Sequence, residues 1–118
     1  MIERSETRSD MIANNLIPAN AVHPGEILRD EIEYRGISQR DLARRIDVSP
    51  TIINEVLKGK RQLGTELALL IGAALNIDAE PLIELQCRYN IQKAKKDSSF
   101  QRRLLSIEKK FASSYSIA

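Results

Sequence analysis

From residue 24 onward, apolar residues recur at helical spacing, and the runs are divided by prolines, glycines and short polar residues of the kind that start and stop helices. Pro24 suits a first helical turn, where the amide it lacks would have no partner, and Glu26 lies near the positive helix N-terminus. Ile27, Leu28 and Ile32 then form an apolar stripe, Glu31 and Glu33 turn to water, and Gly36 is a stop, which predicts a first helix over 24–35. A second helix is expected over 38–46, where Ser38 and Asp41 form a capping-box variant and Leu42, Ala43 and Ile46 face inward. The small Ala43 lets two helices cross closely, and Asp47 occupies a turn that calls for a left-handed residue. Ser49 caps a third helix with Pro50 in its first turn, Ile53 and either Val56 or Leu57 inside, and Gly59 at its end. Thr65 is the expected cap of a fourth helix over 65–75, with Leu67, Leu70, Ile71, Ala74 and Leu75 at helical spacing. Asp78 caps a fifth, with Pro81 in its first turn, which carries Leu82, Ile83, Leu85, Tyr89 and Ile91.

The two ends are patterned differently. Residues 1–22 show weak periodicity: Met11, Ile12, Leu16 and Ile17 suit one helical turn that Pro18 stops, so this segment reads as a flexible N-terminal arm. Between 92 and 110 seven basic residues face two acids, while Phe100, Leu104, Leu105, Ile107 and Phe111 still recur at roughly helical spacing. Residues 92–118 are therefore a basic C-terminal extension, either a solvated tail or an amphipathic helix that needs a partner surface, with disorder expected from 113 onward.

Composition supports an all-α reading. Of 118 residues only 5 are Gly and 4 are Pro, and 42% hydrophobic content suffices for a small core. The net charge of +2 does not announce nucleic acid, but its distribution is informative. Residues 24–75 hold eight bases and eight acids; the acids crowd the first helix (Glu26, Asp30, Glu31, Glu33) and the bases crowd the second and third. The single cysteine, Cys87, rules out an internal disulfide or a Cys-based zinc site and is expected as a small core residue. No apolar run approaches the ~18 residues of a membrane span, and residues 1–10 hold no signal-peptide core, so a soluble, cytoplasmic protein is expected. His23 is the only histidine and precedes a proline, which suits a capping or packing role. With no nucleophile–base set, no phosphate-cradling glycine loop and no metal-ligand cluster, we expect neither an enzyme nor a bound cofactor or metal.

Residues 38–61, SQRDLARRIDVSPTIINEVLKGKR, read as two short helices joined by a tight turn and followed by a Lys/Arg cluster, the sequence form of a DNA-binding helix-turn-helix. The spacing of Gln39, Ala43, Val48, Ile53, Gly59 and Lys60-Arg61 resembles the lambda-repressor-like (Cro/C1, or XRE) family. HPGEILRDEI at 23–32, INEVLKGKR at 53–61 and LIELQ at 82–86 extend the likeness over about 23–96, and the combination resembles the HigA-type antitoxins. The chain departs from that pattern in three places. Asp47 stands where the family usually has Gly, Leu82-Ile83 stands where an aromatic pair is frequent, and the basic segment after Asp97 is not a standard part of it.

The resemblance implies a five-helix lambda-repressor-like DNA-binding domain over 23–91, with room for an extra C-terminal helix, and places the third helix in the DNA major groove. On that helix Ser49 either caps or meets a phosphate, Pro50 and Thr51 open it, and Asn54 suits adenine. Glu55 either accepts from a cytosine amino group or pairs with a neighbouring Lys or Arg. Ser38, Gln39 and Arg40 at the start of the second helix, with Lys58, Lys60 and Arg61 after the third, suit phosphates. A single small module binds DNA weakly, so a homodimer on a palindromic operator is expected, with Leu82, Leu85 and Tyr89 as candidate interface residues. The likeness further implies a HigB-like ribonuclease toxin as partner, basic by family expectation, for which the acidic first helix or the N-terminal arm is a candidate contact. Two other readings stand beside it: a stand-alone XRE-family repressor, and an interaction adaptor that has lost DNA binding.

Overall fold

A computed structural model describes the backbone of residues 21–117 and the side chains of 21–114. The turn expected around Met11 to Ile17 therefore lies outside the described residues. Among the described residues there are six helices and no strand: α1 Pro24–Arg35, α2 Gln39–Ile46, α3 Pro50–Leu57, α4 Thr65–Leu75, α5 Glu80–Lys96 and α6 Ser98–Ile117. The fold is all-α, and the first three helices fall where their stop and start residues predict. Gly36 closes α1 in the left-handed conformation at φ 69°, and Asp47 closes α2 at φ 57°. Ser38 caps α2 through a hydrogen bond from the Asp41 amide (3.0 Å), and Ser49 caps α3 through one from the Thr51 amide (3.1 Å).

One core runs through the first five helices. Leu28 and Ile32 of α1, Leu42 and Ala43 of α2, Ile53, Val56 and Leu57 of α3, and Ala68, Ile71 and Leu75 of α4 are buried together with Leu63, Ala79 and Leu82. Both Val56 and Leu57 lie inside, and α2 packs against α3 and α4 with the buried Ala43 on its inner side.

The expected inner faces of three helices and the expected caps of two need correction. Ile27 is 44% exposed, because α1 turns Leu28 and Ile32 toward α3 and α5 and leaves Ile27 at the edge of the stripe. On α4 the buried face is Ala68, Ile71, Gly72 and Leu75, while Leu70 joins Leu69 in solvent. That phase follows from size: a Cβ on Gly72 would lie 2.9 Å from the Ile77 carbonyl oxygen and 3.1 Å from the Ala79 Cβ, so α4 approaches the following chain along its small residues. Cys87 is exposed, since the inner face of α5 is Leu82 and Gln86 and the next residue points away. Gly64, rather than Thr65, is the N-cap of α4 and makes no side-chain hydrogen bond. At α5 the N-cap is Ala79, but Asp78 Oδ1 accepts from the Glu80 amide (3.1 Å), so the aspartate still serves the helix start.

The chain beyond 91 is helical. α5 continues unbroken to Lys96, so the boundary expected at 91 falls inside it, and α6 runs through Ile117, past the start of the disorder expected from 113. Asp97 separates the two helices and accepts from the Phe100 amide (3.0 Å) at the start of α6.

A tight helix approach lies at the N-terminus of α1. A Cβ built on Gly25 would lie 1.9 Å from the carbonyl oxygen of Val56, so α1 meets α3 backbone to backbone. Gly25→Ala is expected to lower unfolding free energy by about 3 kcal/mol, the upper range for overpacking a rigid contact, in denaturant melts followed by helical circular dichroism. A loss no larger than that of an exposed substitution such as Leu69→Ala would show that the contact yields.

Candidate nucleic-acid interface

The interface begins with two serines. Ser38 and Ser49 each commit the hydroxyl to a helix cap, so α2 and α3 start at defined residues, with Arg40, Pro50 and Thr51 exposed just beyond them. The capping role is thus the one formed at Ser49. Gln39 and Asn54, fifteen residues apart, meet side chain to side chain: Asn54 Nδ2 donates to Gln39 Oε1 (3.0 Å). This bond ties the start of α2 to the middle of α3. It leaves the Gln39 amide N–H groups as donors, and the Asn54 oxygen and its second N–H as an acceptor and donor at the surface.

The basic residues divide into engaged and available groups. Arg61 Nε donates to Glu55 Oε1 (2.8 Å), and its guanidinium also lies 2.8 Å from that oxygen through a terminal nitrogen. Of the two readings of Glu55, the ion pair is the one formed. The Glu55 carbonyl also accepts from the amides of Lys60 (2.8 Å) and Arg61 (3.2 Å), which folds the Lys58–Arg61 segment back on α3. Arg44 pairs with Asp41, and this guanidinium, with the Ser38 hydroxyl, holds the Asp41 carboxyl below its usual range. Arg40, Lys58 and Lys60 are exposed.

Beneath this surface, two polar residues hold the chain after α3, and their role is not legible from spacing alone. His23 is buried and caps α1, its Nδ1 accepting from the Gly25 amide (2.9 Å). Its ring meets Tyr89 edge-on at 4.9 Å and lies against Gly59. Gln86, also buried, accepts from the Leu63 amide through Oε1 (2.8 Å) and donates to Asn90 Oδ1 (3.0 Å). Asn90 in turn donates to Gln62 Oε1 (3.0 Å). The segment carrying Lys58, Lys60 and Arg61 is thereby fastened to α1 on one side and α5 on the other. A motif reading sees HPGEIL and LIELQ as separate landmarks; the structure joins them through this segment.

The candidate dimer residues are placed differently from one another. Leu82 is 4% exposed and belongs to the protomer core, which removes it as a surface contact. Leu85 and Tyr89 are half-buried, and Tyr89 is already engaged by His23. Among the described residues no group of His, Cys, Asp and Glu is arranged to hold a metal ion, and no helix is long and apolar enough to cross a membrane.

Comparison with known proteins gives one consistent answer. The helix-turn-helix family model HTH_3 matches residues 28–82. Virulence-associated protein I of Dichelobacter nodosus is 36% identical over 78 residues, covering 65% of this chain and 72% of that protein. The solved structure of Pseudomonas aeruginosa antitoxin HigA with the higBA promoter is 31% identical, with a TM-score of 0.64 over 70% of this chain and 90% of that one. A HigA-family addiction module antidote protein from Coxiella burnetii is 28% identical, with a TM-score of 0.63 and the same shares covered.

Burial pushes the His23 imidazole below its ordinary range, against the opposing pull of the Arg61 backbone and Glu26. The unfolded chain then takes up a proton near pH ~6.5 while the folded chain holds out to lower pH. Stability is complete above that range and declines as pH falls from it toward the folded-state value. Denaturant melts between about pH 7 and pH 5 should show this loss, and His23→Asn, which keeps a capping side chain without the titration, should flatten it. An equal slope in the variant would assign the pH dependence elsewhere.

Proposed function

The chain belongs to the XRE-type helix-turn-helix family, whose members are DNA-binding regulators and not enzymes, and on that premise we propose that it is a HigA-type antitoxin. In this reading it binds a palindromic operator as a homodimer, represses its own toxin–antitoxin operon, and neutralises a HigB-like ribonuclease toxin. The observation that carries the DNA half is the Gln39–Asn54 bridge, which braces the front of α3 while Thr51 and the remaining amide groups face out. Thr51 supplies a methyl for thymine, and the Asn54 carboxamide suits adenine. Arg40, Lys58 and Lys60 are the phosphate contacts, fixing register without reading sequence. Arg61 acts chiefly through Glu55, holding the Lys60 segment in place.

The toxin half rests on the likeness to HigA proteins and on charge. Glu26, Asp30 and Glu33 are exposed on α1, while Glu31 is paired with Arg35 at 2.7 Å. These acids offer a surface to a small basic protein, and electrostatic complementarity of that kind accelerates encounter.

One set of binding measurements tests both halves. Arg40→Ala with Lys60→Ala should weaken binding to all duplexes and lower the slope of log K against log salt by about 2. Thr51→Ala should instead relax discrimination at one base pair, by roughly 1 to 3 kcal/mol. Equal losses on every sequence would show that Thr51 reads no base. Glu26→Lys, Asp30→Lys and Glu33→Lys together should abolish rescue of cells expressing the toxin encoded beside this gene, while operator binding persists. If no small basic protein is encoded there, the stand-alone repressor replaces the antitoxin.

A further inference from the structure

One face of α5 does more than hold the fold together. Gln86, Tyr89, Asn90 and Lys93 recur on it at helical spacing. The first three fasten the segment after α3: Gln86 through the Leu63 amide, Tyr89 through the His23 ring, Asn90 through Gln62. Lys93 stands one turn farther along the same face and forms no ion pair among the described residues. Although exposed, it does not stand in open solvent. With Lys60, Gln62 and Asn90 it lines a cleft of about 410 Å³ between that segment and the end of α5.

The chemistry of the cleft selects its occupant. Of the other charged residues that line it, Arg61 is committed to Glu55, and Asp97 accepts from the Phe100 amide through Oδ1. The ammonium groups of Lys60 and Lys93 outweigh that single carboxylate, so the cleft is positive. The side-chain amides point the same way. Gln86 Oε1 accepts from Leu63, Gln86 donates to Asn90 Oδ1, and Asn90 donates to Gln62 Oε1. Each carboxamide oxygen of this relay is used within it, and the relay ends in the N–H groups of Gln62. A positive cleft edged with amide donors suits an anion. Of the two partners of the preceding section, a basic toxin would be repelled here and a DNA backbone attracted. Position agrees with charge. Lys60 belongs both to the phosphate contacts after α3 and to the wall of the cleft. Successive phosphates of one strand lie only about 3.4 Å apart along the helix axis, so a strand held at Lys60 has further phosphates within reach of the cleft.

We propose that this cleft is a phosphate site, in which Lys93 and the Gln62 amide take a backbone phosphate neighbouring the one at Lys60. The DNA interface then extends from the helix-turn-helix onto α5, with Asn90 positioning Gln62 for the contact. The inference rests on the DNA-binding reading of the preceding section. Lys93 lies outside the residues on which that reading stands, so the two can fail separately.

The test is binding of the full chain to a duplex carrying the promoter of its own gene, and to an unrelated duplex, across a salt series. Lys93→Ala should weaken binding to both and lower the slope of log K against log salt by about 1. Its thermal melt should match that of the wild-type chain. Lys93→Arg keeps the charge and should keep the slope. Lys95→Ala removes an exposed charge of α5 that does not line the cleft, and should leave the slope nearly unchanged. A slope unmoved by Lys93→Ala but lowered by Lys60→Ala overturns the proposal and leaves the DNA-binding reading standing. Equal losses from Lys93→Ala and Lys95→Ala overturn it as well, because they report only the overall charge of the helix end. A change in the sedimentation of the DNA-free chain on Lys93→Ala would assign the cleft to a second copy instead. If neither Lys60→Ala nor Lys93→Ala alters binding, the DNA-binding reading falls together with the proposal.

Discussion

The approach of Gly25 to the Val56 carbonyl is the constraint on which the rest of the molecule turns. A helix entering against the backbone of another has no room for a side chain, so the position must be glycine. It must also be held there, because glycine supplies no packing of its own. His23 and Pro24 do the holding. The imidazole caps the helix through the Gly25 amide, and the buried proline ring fills the corner beside it. The same imidazole lies against Gly59 and Tyr89, so one corner fixes α1, the end of α3 and the flank of α5 at once.

The surface proposed to meet DNA inherits its order from that corner. α3 is only eight residues long, too short to be stable by propensity, so packing and caps determine where it lies. Ser49 fixes its start, Ile53, Val56 and Leu57 fix its buried side, and the Glu55 carbonyl and carboxylate draw the following segment back onto it. Gln86 and Asn90 then anchor Leu63 and Gln62 from the far side. Arg61 takes part as structure more than as a free cation. The charges left exposed, Arg40, Lys58 and Lys60, sit on a framework with little freedom to move.

How much of this the sequence discloses depends on how local each interaction is. The starts and stops of α1 to α3 are legible because each is decided by a residue and its near neighbours: Pro24, Gly36, Ser38, Asp47, Ser49. Burial phase is less legible wherever a helix is apolar on several sides. α4 reads TELALLIGAAL, and periodicity alone cannot show that Ala68 and Gly72 face in while Leu69 and Leu70 face out; close approach to Ile77 and Ala79 decides it. Cys87 and Leu82 exchange expected places for the same reason, since the inner side of α5 is set by Leu63 and Gln86 meeting across 23 residues. In the interface, the residue types at the front of α2 and α3 are readable. The partnerships are not, because Gln39–Asn54, Glu55–Arg61 and His23–Tyr89 each join residues that only the fold brings together.

Native-state hydrogen exchange of individual amides addresses the central claim most directly. If the His23–Pro24–Gly25 corner and Gln86 bind the segment after α3 into the core, the amides of Gly25, Lys60 and Leu63, all hydrogen-bonded, should exchange only through an opening close to global unfolding. Their opening free energies should then match those of the α2 core amides. Exchange of Lys60 and Leu63 through a much smaller, local opening, with α1 and α2 still protected, would contradict the account and make this segment an independent, loosely held element.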